Sequence, residues 1–194
     1  MAGGAVESKM HVPDCRAGTS FVGKTTWFGR FFCVPGINVY FMRILALDYG
    51  SVTVGTAMSD ELGLTAQPLE TITRSKENHL RQTLAAIVSL VVEYKVGLIV
   101  LGKPVHMDGS EGDRVEKARG FKAQLEGRLQ RLAAESGSSS VPVVWHDERL
   151  TTVEADEILT QSGIPKTDRK RYIDSVAASV ILRDYMNQNE RNST

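Results

Sequence analysis

The sequence predicts an α/β fold: a mixed five-stranded sheet, three antiparallel strands followed by two parallel ones, with helices on both faces. Three observations lead there. Two apolar runs, residues 43–48 and 53–58, face each other across a short glycine-containing link. Residues 97–102 (GLIVLG) are continuously apolar, the mark of a strand buried on both faces. Stretches of helical period then alternate with the later strands, as right-handed βαβ crossovers require.

In chain order, RILALD (43–48) reads as a buried strand and TVGTAM (53–58) as its hairpin partner, with Gly50 expected to take a positive φ in the link. A third strand is expected over 68–73. Residues 76–94 place Leu80, Leu84, Ile87, Val88 and Val91 at helical spacing. After strand 97–102, Pro104 closes the run and Asp108-Gly109 marks a turn. A second helix spans about 113–135, with Ala118, Phe121, Leu125, Leu129 and Leu132 as its inner stripe. The loop 137–140 leads into a last strand at 142–147 (PVVWHD). Thr151 and Glu154 have the spacing of a capping box, opening a helix that Gly163 and Pro165 end. The final helix, about 168–186, buries Ile173, Val176, Ala177, Val180 and Ile181.

This regular text begins at Met42 and divides the chain into an extension, 1–41, a domain, 42–188, and a polar tail, 189–194. Residues 1–41 sustain neither a helical nor a strand period and are expected to lie outside the domain. Formal net charge is zero, so no global basic field points to a protein that coats nucleic acid, although a local groove remains open to phosphates. Cys15 and Cys33 are the only cysteines of 194 residues, too few for a disulfide framework. No apolar run reaches membrane-spanning length, and Pro35, Gly36 and Asn38 interrupt the one stretch resembling a signal-peptide core. A reducing, cytoplasmic setting is expected.

The acids supply the chemistry. Asp48 closes the first strand, where a carboxylate is costly to desolvate unless paired or bound to a cation. The last strand ends in His146-Asp147-Glu148-Arg149. Were the two strands central neighbours, Asp48 and Asp147 would share an edge and a metal. Because successive strand residues face opposite sides, Asp147 and Glu148 do not both ligate; Asp147 is favoured, with Glu148 the candidate if the chain bends. Asp174 borders the apolar stripe of the final helix, either aimed at the helix–sheet seam or paired with Lys170 or Arg171. Three carboxylates at one edge suit Mg²⁺ or Mn²⁺, hard cations with oxygen ligands, and such ions serve phosphodiester hydrolysis.

Six motifs occur in order: Leu47-Asp48-Tyr49-Gly50, Val54-Gly55-x-Ala57-x-Ser59-Asp60, Gly102-Lys103-Pro104, Met107-Asp108-Gly109, Asp147-Glu148-Arg149-Leu150-Thr151-Thr152 and Asp174-x-x-Ala177-Ala178. Together they resemble the YqgF family, described first as Holliday junction resolvases and later as pre-16S rRNA nucleases. The resemblance implies an RNase H-like fold, divalent-metal phosphodiester hydrolysis and a bacterial, cytoplasmic role in maturing the 5′ end of small-subunit rRNA within ribosomal precursor particles. By position it carries over Asp48, Asp147 or Glu148, and Asp174 as the acidic site. Where junction resolvases of this fold have an acid on the fourth strand, this chain has Gly102-Lys103-Pro104.

Lys103, Arg149, Lys166, Arg169, Lys170 and Arg171 are expected to form one phosphate track, and Lys103, Arg149 and Lys170 are the candidates for direct substrate contact. A single track suits single-stranded RNA. The competing readings are a resolvase of branched DNA and an RNA-binding protein that keeps the fold without cleavage. Residues 18–25 match the P-loop pattern in letters, but the strand that must precede a working P-loop is missing from the sequence before them, so the match reads as chance. If the extension is separate, a chain beginning at Met42 will keep the melting temperature of the full chain. A loss of several degrees in a thermal melt means that residues 1–41 pack on the core.

Overall fold

The structure, a computed structural model, describes residues 26–28, 31–34, 37–39, 43–104, 112–147 and 151–191. Its elements are β1 (Thr26–Phe28), β2 (Phe31–Val34), β3 (Ile37–Val39), β4 (Arg43–Tyr49), β5 (Thr53–Ser59), β6 (Ala66–Pro68), β7 (Ile72–Thr73), α1 (Leu80–Glu93), β8 (Val96–Lys103), α2 (Asp113–Ser136), β9 (Val143–Asp147), α3 (Thr151–Gln161) and α4 (Lys166–Arg191). Where the sequence shows no sustained period, β1, β2 and β3 form a small antiparallel sheet of their own. The stretches 18–25, 105–111 and 148–150, with the P-loop-like pattern, the Asp108-Gly109 turn, Glu148 and Arg149, lie outside the described residues.

The main sheet runs β6-β5-β4-β8-β9, with β7 also paired to β5. β4 and β5 are antiparallel, while β8 and β9 extend the sheet in parallel with β4. The expected third strand is two pieces, because Pro68 has no N–H to continue a ladder and the chain steps aside at Leu69, whose N–H reaches Thr56 O at 2.8 Å. Five strand positions therefore hold six segments.

One face of the sheet carries Leu45, Leu47, Ile99, Leu101 and Val143 against Leu84, Ile87 and Val91 of α1 and Phe121, Leu125 and Leu129 of α2. Fully burying each such side chain contributes about 1.5–3 kcal/mol. The other face carries Ile44, Ala46, Ala57, Leu98 and Val100 against Ala178, Ile181, Leu182 and Met186 of α4. Helix α3 packs on the outside of α4 through Ala155, Leu159, Val176 and Ala177.

Three local expectations change. Gly50 is not among the positive-φ glycines; the hairpin closes through Gly50 N–H to Thr53 O at 3.0 Å, and a Cβ at Gly50 would stand 2.9 Å from Thr53 Oγ1. Helix α1 starts at Leu80 instead of residue 76, after a turn in which His79 N–H bonds Lys76 O. Thr151 is the first residue of α3 and not the residue before it, and Glu154 accepts from Arg183 Nη2 at 2.5 Å. The ends of α2 and α3 follow the sequence: Gly137 and Gly163 both adopt positive φ. Helix α4 runs on to Arg191, into the stretch set apart as a tail.

The tightest contact in the fold is at Gly55, where an added Cβ would lie 1.9 Å from Asp174 O and 2.3 Å from its carbonyl carbon. Gly55→Ala must push α4 off the sheet, at a cost of about 3 kcal/mol or more. The expected result is a melting temperature lower by roughly 6–12 °C. Gly120→Ala, in mid-α2 with nothing within 4 Å of the new Cβ, should have the opposite sign, a gain of about 0.5–1 kcal/mol. Thermal melts of the two variants check both; equal, small effects would mean that α4 does not lie against Gly55.

Candidate active site

Strand alternation decides which acids meet. Along β4, Leu45 and Leu47 face α1 and α2, while Ile44 and Ala46 face α4, so Asp48 falls on the α4 side. Directly opposite it on β5 is Gly55. The backbone of Asp174 lies on Gly55, so α4 delivers Asp174 to the same side of the same strand pair. The alternative partner for Asp174, an ion pair with Lys170 or Arg171, is not formed among the described residues. Asp48 and Asp174 are close enough that each carboxylate opposes the other's charge.

That opposition shows in Asp48, whose carboxyl is pushed up from the usual carboxylate range to about 7. Burial is the largest cause, and the negative charge of Asp174 adds to it. Arg114, in the first turn of α2, pulls in the other direction without cancelling either.

Asp147 is elsewhere. Strand β8 lies between β4 and β9, which separates the two strands by about 10 Å, two inter-strand spacings. Along β9, Val143 and Trp145 pack with the α1 and α2 core, and Asp147 continues that side as an exposed residue. The condition under which Asp48 and Asp147 would share an edge is not met as stated, because β8 lies between the two strands. Asp147 is instead the cross-strand partner of Lys103, which moves Lys103 to the α1 and α2 side as well. His146 occupies the α4 side of β9, edge-to-face with Tyr185 at 5.8 Å, and burial lowers its basicity. Among the described residues no group of three His, Cys, Asp or Glu forms a metal cluster; the acidic site there is a pair.

The cation track also contracts. Arg169 is tied down, donating to Ile164 O at 3.0 Å and Thr160 Oγ1 at 2.7 Å, with Asp156 at 3.3 Å. It clamps the α3–α4 turn. Lys166, Lys170 and Arg171 remain exposed on the first turns of α4. Lys170, Arg171 and exposed Tyr172 line an open depression with Thr167 and Asp168, and Lys170 is one helical turn from Asp174. Arg114 is a residue that sequence reasoning missed; nothing in its helical context marks it, and only the docking of α2 brings its charge near Asp48.

The fold is a mixed α/β sheet with helices on both faces, and the family profile and the relatives make this protein a nuclease, a phosphodiester hydrolase. The chain belongs to the RuvX family, described as Holliday junction resolvase, whose profile matches residues 42–188. A "Putative pre-16S rRNA nuclease" of Lachnospira eligens is 47% identical over 150 residues, 77% of this chain and 100% of that protein. Proteins of the same description from Syntrophus aciditrophicus and Lactococcus lactis subsp. cremoris are 45% and 42% identical, over 75% of this chain and 88% and 94% of their own lengths. Among solved structures, "T. thermophilus RuvC in complex with Holliday junction substrate" aligns over 77% of this chain and 96% of its own at 13% identity, with a TM-score of 0.46.

The raised Asp48 carboxyl has a consequence for metal-free protein. Between about pH 4 and pH 7 the folded state keeps a proton that the unfolded chain releases. Stability contributed by this group is therefore lost as pH rises through that window and is level above it. Asp48→Asn removes the slope. Thermal melts in EDTA should show the variant gaining on the parent between pH 4.5 and pH 8; a constant difference means that Asp48 ionises normally.

Proposed function

We propose that this chain is a divalent-metal-dependent endonuclease that cleaves single-stranded precursor rRNA, acting on ribosomal precursor particles in the cytoplasm. The observation that carries the chemistry is the opposed pair Asp48 and Asp174. Two carboxylates forced together beside Gly55, one of them held protonated near neutral pH, form a site short of positive charge. An all-oxygen donor pair fits Mg²⁺ or Mn²⁺, with water completing the shell. Such an ion, when bound, supplies charge to polarise a phosphodiester and acidify a water.

The chain's own residues do the rest. Asp48 would hold such an ion as the carboxylate, so binding would be favoured as pH rises towards about 7. Asp174, fixed by α4, keeps the second carboxylate in place. For a third acid we favour Glu148, the alternative the sequence offers, because Asp147 lies exposed on the α1 and α2 side of β9, away from Asp48. Lys170 and Arg171 hold backbone phosphates one turn from Asp174, and Tyr172 offers a ring on which a base stacks. Arg149 remains a candidate contact from sequence.

The relatives' description favours RNA, and one short cationic track on one helix suits a single strand better than two symmetric arms of a junction. The competing reading, resolution of branched DNA, is the activity in the family's description. Side-by-side assays in Mn²⁺ separate them: cleavage of single-stranded precursor rRNA is expected, without paired symmetric nicks in a four-way DNA junction. The reverse pattern makes this a resolvase. Asp48→Asn, Asp174→Asn and Glu148→Gln should each lower RNA cleavage on the order of 10²-fold or more, the scale of losing a transition-state charge partner. Asp147→Asn should keep most of it.

A further inference from the structure

The link that follows Asp48, residues 50–52, gives every one of its carbonyl oxygens to a single residue. Arg74 Nη2 donates to Gly50 O at 2.5 Å and to Ser51 O at 2.9 Å, and the Arg74 backbone N–H donates to Val52 O at 2.8 Å. Its Nη1 reaches Thr53 O at 3.4 Å, and its Nε bonds Glu77 O at 3.2 Å. The guanidinium lies 4.9 Å from the centre of the Tyr49 ring, which in turn stacks on Phe121 at 4.4 Å. Arg74 is only 5% exposed, and among the described residues no carboxylate pairs with it.

Burying a guanidinium away from any anion costs several kcal/mol before its hydrogen bonds offset the loss. A hairpin link needs no such device, since short turns close on backbone hydrogen bonds alone. What distinguishes this hairpin is that Asp48 stands at its entry, with Tyr49, the residue under the guanidinium, next in the chain. What Arg74 holds is the backbone that carries Asp48: the carbonyls of residues 50–53, together with the ring of Tyr49.

We propose that Arg74 is a positioning residue for the acidic site: by collecting the carbonyls of residues 50–53 and resting on Tyr49, it fixes the end of β4 so that the Asp48 carboxylate stays opposed to Asp174. The inference rests on Asp48 and Asp174 as the metal-holding pair. Outer partners that orient a ligand change metal affinity or activity by about 10–100-fold when removed.

The test uses the full chain with Arg74→Gln and Arg74→Lys, at a temperature well below the melting point of each. Calorimetric titration with Mn²⁺ alone, without RNA, should show affinity reduced about 10–100-fold in Arg74→Gln, with kcat reduced on the same scale and KM for RNA little changed. Arg74→Lys should fall between, because an ammonium keeps the charge but cannot fork across several carbonyls. A purely structural role lowers the melting temperature and leaves Mn²⁺ affinity of the folded protein at the parent value; that result in both variants overturns the proposal. If Arg74→Gln does not fold, Arg74→Lys decides by the same titration. Asp48→Asn is measured alongside. Loss of Mn²⁺ binding there with parent-like Arg74 variants sinks only this inference, whereas parent-like Mn²⁺ binding and cleavage in Asp48→Asn removes the acidic-site reading and the inference with it.

Discussion

The backbone of α4 lies on the backbone of β5 at Gly55, with no side chain between them, and the rest of the site depends on that approach. A helix normally packs on a sheet through two layers of side chains. Here one layer is missing at one point, and that point is the cross-strand partner of Asp48. Removing the spacer brings an aspartate from the last helix within electrostatic range of an aspartate from the first strand of the main sheet. Any side chain at position 55 would restore the layer and separate the two acids.

The two faces of the sheet are built differently for this reason. Towards α1 and α2 the core is made of large groups, Leu45, Leu47, Ile99, Leu101 and Phe121 among them, which hold the helices at ordinary distance. Towards α4 the interface mixes Ile44, Leu98, Ile181 and Leu182 with the small residues Ala46, Ala57 and Ala178, and at Gly55 the helix sinks in. Large residues supply burial on both faces; the small ones on the α4 face supply proximity. Tyr49 links them, since its ring belongs to the first face while Asp48, one residue earlier, belongs to the second. Arg74 grips the chain at the point where it passes from one to the other.

Much of this is legible in the sequence because it is local. The strand and helix order from residue 43 onwards follows from apolar period and from Gly137 and Gly163 as helix ends, and that order holds although the third strand divides and some helix ends shift. Asp174 is legible as a border residue of a stripe. What the pattern does not carry is sheet order. The runs 43–48 and 142–147 look equally buried, and nothing local says that β8 lies between them. Period does contain the correction, since alternation along β9 sets Asp147 apart once its neighbours' side is known. Arg74 and Arg114 left no readable signal: each is a lone cation in polar surroundings, and its partners are backbone atoms or groups brought up by distant elements. Gly55 gave a weak one, a glycine inside a strand, the usual sign of a close backbone approach.

The pair at the heart of the site comes from opposite ends of the domain, the first strand of the main sheet and the last helix. A ribosome making this protein releases β4 early and α4 last. Until α4 has emerged and docked on Gly55, Asp48 has no opposing carboxylate, and the growing chain contains half a site. If the two carboxylates are the site proposed above, a nascent chain carries only one of them until its last helix has docked.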